Sequence, residues 1–173
     1  MPEEVQTPDI EARLAALEAK VQRLTDEIEL YQLTASYGPA VDSGWAQVAA
    51  DLWTEDGLYD VDVGSWEGRE EIMGLINGEL HQGLIERGCG HVISLPRLTI
   101  DGDTAVGTCY SRLYSRNDQG FDAWRVAANR WEFVRTERGW RIKNRVNRLL
   151  DGTSASRDLL RRSFDDANEP LDV

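Results

Sequence analysis

The sequence predicts an α+β domain in which helices lie across the concave face of a curled antiparallel sheet. Three observations carry this. Apolar residues recur at helical spacing as far as residue 84, they give way after Gly90 to long stretches patterned as strands, and tight polar turns separate those stretches. The 173 residues suit one domain with its own core.

The first element is the longest. Ile10, Leu14, Leu17, Val21, Leu24, Ile28 and Tyr31 alternate four and three apart, the seam of a coiled coil or of a long docking helix. Thr7 and Pro8 supply a cap and a first-turn proline, and Gly38-Pro39 interrupts the pattern at its far end, so a helix is expected over about 8–37. A short helix follows at Trp45–Trp53, carried by Val48, Leu52 and Trp53. LYDVDV at 58–63 alternates as a strand, and a third helix at Glu67–Leu84 lines up Ile72, Leu75, Ile76 and Leu80. The sheet proper is read from 91–100, 104–115, 121–136 and 139–150, joined by turn clusters at 101–103, 117–120 and 137–139. From Thr153 one amphipathic piece, RDLLRRSF, precedes a polar acidic end.

Composition excludes several function classes. The net charge of −12 is concentrated in residues 1–96, with 19 acidic against 5 basic side chains, and the basic excess in 97–151 is 11 against 7. That is too small and too diluted to displace counterions from nucleic acid. No apolar run reaches the roughly 18 residues of a membrane span, and the polar acidic start, unlike a signal peptide, predicts a cytoplasmic address. Two cysteines make no disulfide framework. GxSxG, Walker A and HExxH motifs are missing, and Gly88-Cys89-Gly90 lacks the third glycine of a dinucleotide loop. A metal site would have to borrow Cys89, His91 and carboxylates without the usual ligand pairs, so neither metal nor cofactor is expected.

His91 opens a predicted central strand among apolar neighbours, where imidazole suits proton transfer and a carboxylate would fix its tautomer. A structural histidine bonded to a backbone carbonyl is the alternative. Asp42, after the Gly-Pro break, is a candidate partner or a cap for the Trp45 segment. Tyr37 lies five residues earlier, about 140° away on a straight helix, so the two converge only if the break bends the chain. Tyr59 offers a second phenol to the same cavity. Alternation places Arg125 and Asn129 on one face with Ala127, and Asn144 with Ile142 and Val146. These three are candidate substrate contacts; the alternative for Arg125, as for Arg148, is the solvated outer face. His81, at a predicted helix end beside Gln82 and Gly83, is read as a surface residue.

Tyr37-Gly-Pro-Ala40-Val-Asp42-Ser-Gly44-Trp, then LWTEDGLYDV, a Gly-Arg opening the helix at 68–72, and GHVISLPRLTIDGDTAVGTCY follow one another in an order that resembles the SnoaL-like branch of the nuclear transport factor 2-like superfamily. The likeness covers about 28–150. It implies a cone-shaped curved antiparallel sheet packed with three N-terminal helices around a deep apolar pocket. A helical extension at 1–27 precedes that pocket domain, at 28–151, and a tail at 152–173 follows, with a lid over the pocket as one role. The chain is most similar to the bile acid dehydratase, scytalone dehydratase and hexachlorocyclohexane dehydrochlorinase types, whose Tyr, Asp and His fall on Tyr37, Asp42 and His91. Pro39 departs from that pattern, as does the absence of any histidine after His91.

What the resemblance implies is a lyase without cofactor, in which Asp42 orients His91, His91 removes a proton and Tyr37 steadies a leaving group or oxyanion. Its substrate would be a hydrophobic ring-containing small molecule such as a steroid, polyketide or lignin-type aromatic. An isomerase or cyclase would use the same residues, and a binding module would store a ligand without turnover. The related dehydratases are commonly trimers. The heptad helix is therefore expected to make a homo-oligomer, a trimer ahead of a dimer, with folding back over its own sheet as the alternative.

Overall fold

The computed structural model describes residues 9–165, so the Thr7-Pro8 start and the acidic end lie outside the described residues. In chain order the elements are α1 (Ile10–Asp42), α2 (Ala46–Asp51), β1 (Trp53–Val61), β2 (Gly64–Glu67), α3 (Gly68–Asn77), α4 (Glu79–Arg87), β3 (Cys89–Ile93), β4 (Arg97–Asp101), β5 (Thr104–Asn117), β6 (Gly120–Thr136), β7 (Gly139–Leu149) and α5 (Ser154–Asp165). One curved, unclosed sheet has the order β2-β1-β7-β6-β5-β3, with β4 also paired to β5. The α+β class and the long hairpins β5–β6 and β6–β7 are as the sequence predicts.

Several boundaries differ, each for a local reason. The first helix continues through Gly38-Pro39 to Asp42, because proline's fixed φ fits a helix and the carbonyl of Pro39 still accepts from Ser43 N–H. The helix expected at Trp45–Trp53 stops at Asp51, and Trp53 already starts β1. The single helix expected over Glu67–Leu84 is two, divided where Gly78 adopts an extended backbone. Among the described residues, four helices therefore precede the meander, not three. The strand expected at 91–100 splits around Ser94-Leu95-Pro96, and its halves pair with opposite ends of β5, β3 with 111–115 and β4 with 104–108. The sheet is also not wholly antiparallel, since β1 runs parallel to β7.

The core lies between α1–α3 and the inner sheet face, around Leu30, Trp53, Ile72, Trp131, Phe133 and Ile142. Each such side chain contributes about 1.5–3 kcal/mol by leaving water. Trp131 and Phe133 stack with centroids 6.2 Å apart. Asp26 is the first buried residue of α1; its carboxylate accepts from Trp140 Nε1 at 3.2 Å and pairs with Arg135 at 2.8 Å. One irregularity decides what the inner face carries. Glu132 pairs with Asn144 and Phe133 with Ile142, which leaves Lys143 as an extra residue in β7. Such a bulge reverses the strand's alternation beyond it, so Arg145 and Asn147 point inward.

Candidate active site

A glycine brings Asp42 to His91. Gly38, one turn before the end of α1, lies against the His91 carbonyl with no side chain between them. His91 then donates its backbone N–H to Asp42 Oδ2 at 2.7 Å and holds Nδ1 2.5 Å from Asp42 Oδ1. The carboxylate selects the tautomer protonated at Nδ1, which leaves the lone pair on Nε2. Burial on its own raises the Asp42 pKa, but the ring and backbone hydrogen bonds from His91, with the Cys89 thiol 3.6 Å away, hold it below the ordinary carboxylate range.

Asp42, Cys89 and His91 bring ligand atoms within 4.8 Å of one another, from the residue types that the sequence offers to a metal. Burial first, then the Asp42 charge, pushes the Cys89 thiol up to about 11, so it acts as a donor to the carboxylate. A metal would require that thiol to ionise and the two side-chain hydrogen bonds to Asp42 Oδ1 to be given up.

His91 faces a cavity of about 550 Å³ walled by Val41, Trp66, Ile76, Leu84, Ile93 and Leu113, within the usual range for small-molecule sites. Tyr37 and Tyr59 line it as expected, with ring centroids 6.5 Å apart. Because α1 is unbroken, Tyr37 and Asp42 do leave it about 140° apart. They share one site because His91 touches Asp42 and presents its ring edge to Tyr37 at 6.4 Å. Burial raises the Tyr37 pKa well above the ordinary phenol range, with Tyr59 adding and the Arg145 charge opposing, so the hydroxyl stays a donor.

The other candidates divide. Arg125 lines the cavity rim, pairs with Asp62 and donates to Asn147 Oδ1 at 2.8 Å. Asn129 is fully buried beneath the cavity, where Oδ1 accepts from Arg145 Nε at 3.0 Å, Arg145 Nη2 at 2.8 Å and Asn147 Nδ2 at 2.9 Å. It holds Arg145 and Asn147 by hydrogen bonds and does not line the cavity. Asn144 is a correction: the bulge turns it away from the cavity and it donates to Glu132 at 2.6 Å. Arg148 pairs with Asp60 at 2.6 Å away from the site. His81 is the second correction. With the helix divided at Gly78 it lies in the first turn of α4, half-buried on the cavity wall, with Nε2 3.0 Å from the Val41 carbonyl and its ring 5.6 Å from that of His91. Among the described residues, α5 contributes none to the cavity lining.

Arg145 is the buried cavity residue that strand alternation misses. The residue is 2% exposed, and its guanidinium lies 4.2 Å over the rings of Tyr37 and Trp131 and 4.9 Å over Tyr59. Its close hydrogen-bond acceptor is the neutral Asn129 amide, the Tyr37 hydroxyl interacts with it more weakly, and Nη1 has no close partner among the described residues. Cation–π contact offsets part of the desolvation, and a ligand oxygen would complete the set.

The same fold recurs widely among solved structures. An NTF2-like protein with a cystatin-like fold from Novosphingobium aromaticivorans is 41% identical, with a TM-score of 0.84 over 89% of this chain and 98% of its own. A protein of unknown function from Mycobacterium tuberculosis is 18% identical, with a TM-score of 0.66 over 88% and 92%. One from Catenulispora acidiphila, solved in complex with S-DNPA, is 24% identical, with a TM-score of 0.61 over 82% and 98%. No protein of curated function matches the chain. Residues 22–146 match the SnoaL-like domain, whose family includes dehydratases, isomerases and cyclases. That span takes in Tyr37, Asp42, Tyr59, His91 and Arg145, with Asn147 and Leu149 of the cavity wall just beyond it, and the chain belongs to the SnoaL-like domain family.

Proposed function

We propose that the protein is a cofactor-independent lyase that eliminates water or a related leaving group from a hydrophobic ring-containing molecule of steroid, polyketide or lignin-aromatic type. The observation that carries the reading is the 2.5 Å contact of His91 Nδ1 with Asp42 Oδ1 beside a large apolar cavity. His91 Nε2 takes a proton from carbon, the C–H electron pair becomes the new double bond, and the leaving oxygen departs with its own pair. Tyr37 donates to that oxygen or, with Arg145, to an oxygen that gathers charge, while Asp42 stabilises the imidazolium. The same proton then returns from His91 to the departing oxygen, so the step is balanced without any added reagent.

A binding module without chemistry would tolerate packed side chains between His91 and Asp42; a contact this short leaves no room for them. An isomerase or cyclase would use the same groups, and product analysis separates these from a lyase. The test is a screen of ring-containing alcohols with detection of released water or formaldehyde. His91→Ala and Asp42→Ala should stay folded and lose about 10²–10⁴-fold in turnover. Rates like wild type in both would sink the dyad.

A further inference from the structure

The amino-terminal half of α1 leaves its own domain with an apolar seam in water. Residues 9–25 are all exposed, and along them Ile10 is 79% accessible, Leu17 59% and Val21 61%; Ile28, further on, is 61%. Folding back over the sheet, the intramolecular alternative, does not occur. The seam cannot be covered by its own domain either. Asp26 and Leu30, which bind α1 to the sheet, lie on the opposite side of the helix from Leu24 and Ile28: Asp26 is about 200° around from Leu24.

We propose that a second copy of this chain covers the seam, as a parallel two-stranded coiled coil. In heptad positions, Leu14, Val21 and Ile28 fall at a and Ile10, Leu17 and Leu24 at d. β-Branched residues hold two of these three a positions, Val21 and Ile28, and Leu two of the three d positions, Leu17 and Leu24, a balance on the side of two parallel strands over three. Charge sets the direction. In parallel register the g residue Arg13 meets the e residue Glu18 of the second copy, Lys20 meets Thr25 and Glu27 meets Gln32, with no like-charge contact. The antiparallel alignment that covers the seam end to end sets Lys20 against Lys20 and Glu18 against Glu18 at its centre. The arrangement places the two catalytic domains side by side at the carboxyl end of the coil. Neither cavity takes part, so the proposal is independent of the function above.

Light scattering of the full chain over about a hundredfold range of concentration reads the mass directly. Two chains are expected, and one chain for Leu17→Glu/Val21→Glu, whose exposed positions leave the fold and its near-UV spectrum intact. Arg13→Glu should weaken the dimer and Arg13→Glu/Glu18→Arg restore it. Leu14→Cys should cross-link to its own copy on oxidation, which an antiparallel pair would not permit. A monomeric intact chain, a mass unchanged by the seam variant, or a mass of three chains each overturns the assignment.

Discussion

Gly38 of α1 and His91 of β3 meet backbone to backbone, so closely that a Cβ at position 38 would overlap the His91 carbonyl oxygen. The last turn of α1 thereby lies flush with β3, and Asp42 reaches both the N–H and the ring of His91. A side chain at 38 would wedge these elements apart. Gly38→Ala gains up to ~1 kcal/mol in helix propensity but costs about 1–3 kcal/mol in overpacking. The expected net result is a less stable protein with impaired turnover, read by urea unfolding and by rate. Gly74 in α3 is the matched control, since a Cβ there meets nothing within 4 Å. Gly74→Ala should raise stability by about 0.5–1 kcal/mol with the rate unchanged.

Arg145 separates function from stability. A buried cation whose partners are aromatic rings and a neutral amide is costly to keep, and an apolar replacement of similar volume is often neutral or stabilising. Asn129 Oδ1 retains the Asn147 donor after such a change. Arg145→Met should therefore melt at or above the wild-type temperature yet turn over at least about 10²-fold more slowly. A large drop in Tm with a preserved rate would make Arg145 a structural residue.

Much of this site is legible in the sequence, and what is not has one kind of cause. His91, Tyr37 and Tyr59 are found because each is an uncommon side chain in an apolar setting, and all three line the cavity, while Asp42, marked by its place after the Gly-Pro break, stands behind His91. Arg145 and Asn144 exchange roles because the single extra residue Lys143 reverses the phase of β7, and a bulge carries no signature in hydrophobic periodicity. His81 is misplaced because helical patterning runs through Gly78, where the backbone turns extended and starts a new helix that points the imidazole inward. Pro39 signals a break that a helix can absorb once its neighbour is a glycine pressed on a strand.

Acid stability should report Asp42. Its folded pKa lies below the value of the unfolded chain, so it contributes stability that is fully present above about pH 4 and is lost as the pH falls through the folded pKa. Asp42→Asn removes that contribution. The gap in urea midpoint between wild type and the variant should be widest near neutrality and should close as the pH falls through the folded carboxyl's lowered pKa. A gap independent of pH would mean that the carboxylate's charge is not what the fold uses.

His81 should produce a loss of the same direction in a higher pH window. Burial lowers its pKa, partly opposed by the hydrogen bond to the Val41 carbonyl, and the charge of His91 nearby lowers it further. The folded protein thus prefers neutral imidazole, while the unfolded chain binds a proton from about pH 6.5 downward. The sign follows: the stability due to neutral His81 is complete above about pH 6.5 and is lost as the pH falls through its lowered folded value. His81→Leu keeps an apolar wall beside His91 and removes the titration. Wild type should therefore lose more stability than His81→Leu between about pH 7 and 5, measured by urea unfolding at both. Equal losses would place His81 outside the buried wall, whereas a variant that also shifts the acid limb of turnover would add it to the groups that tune His91.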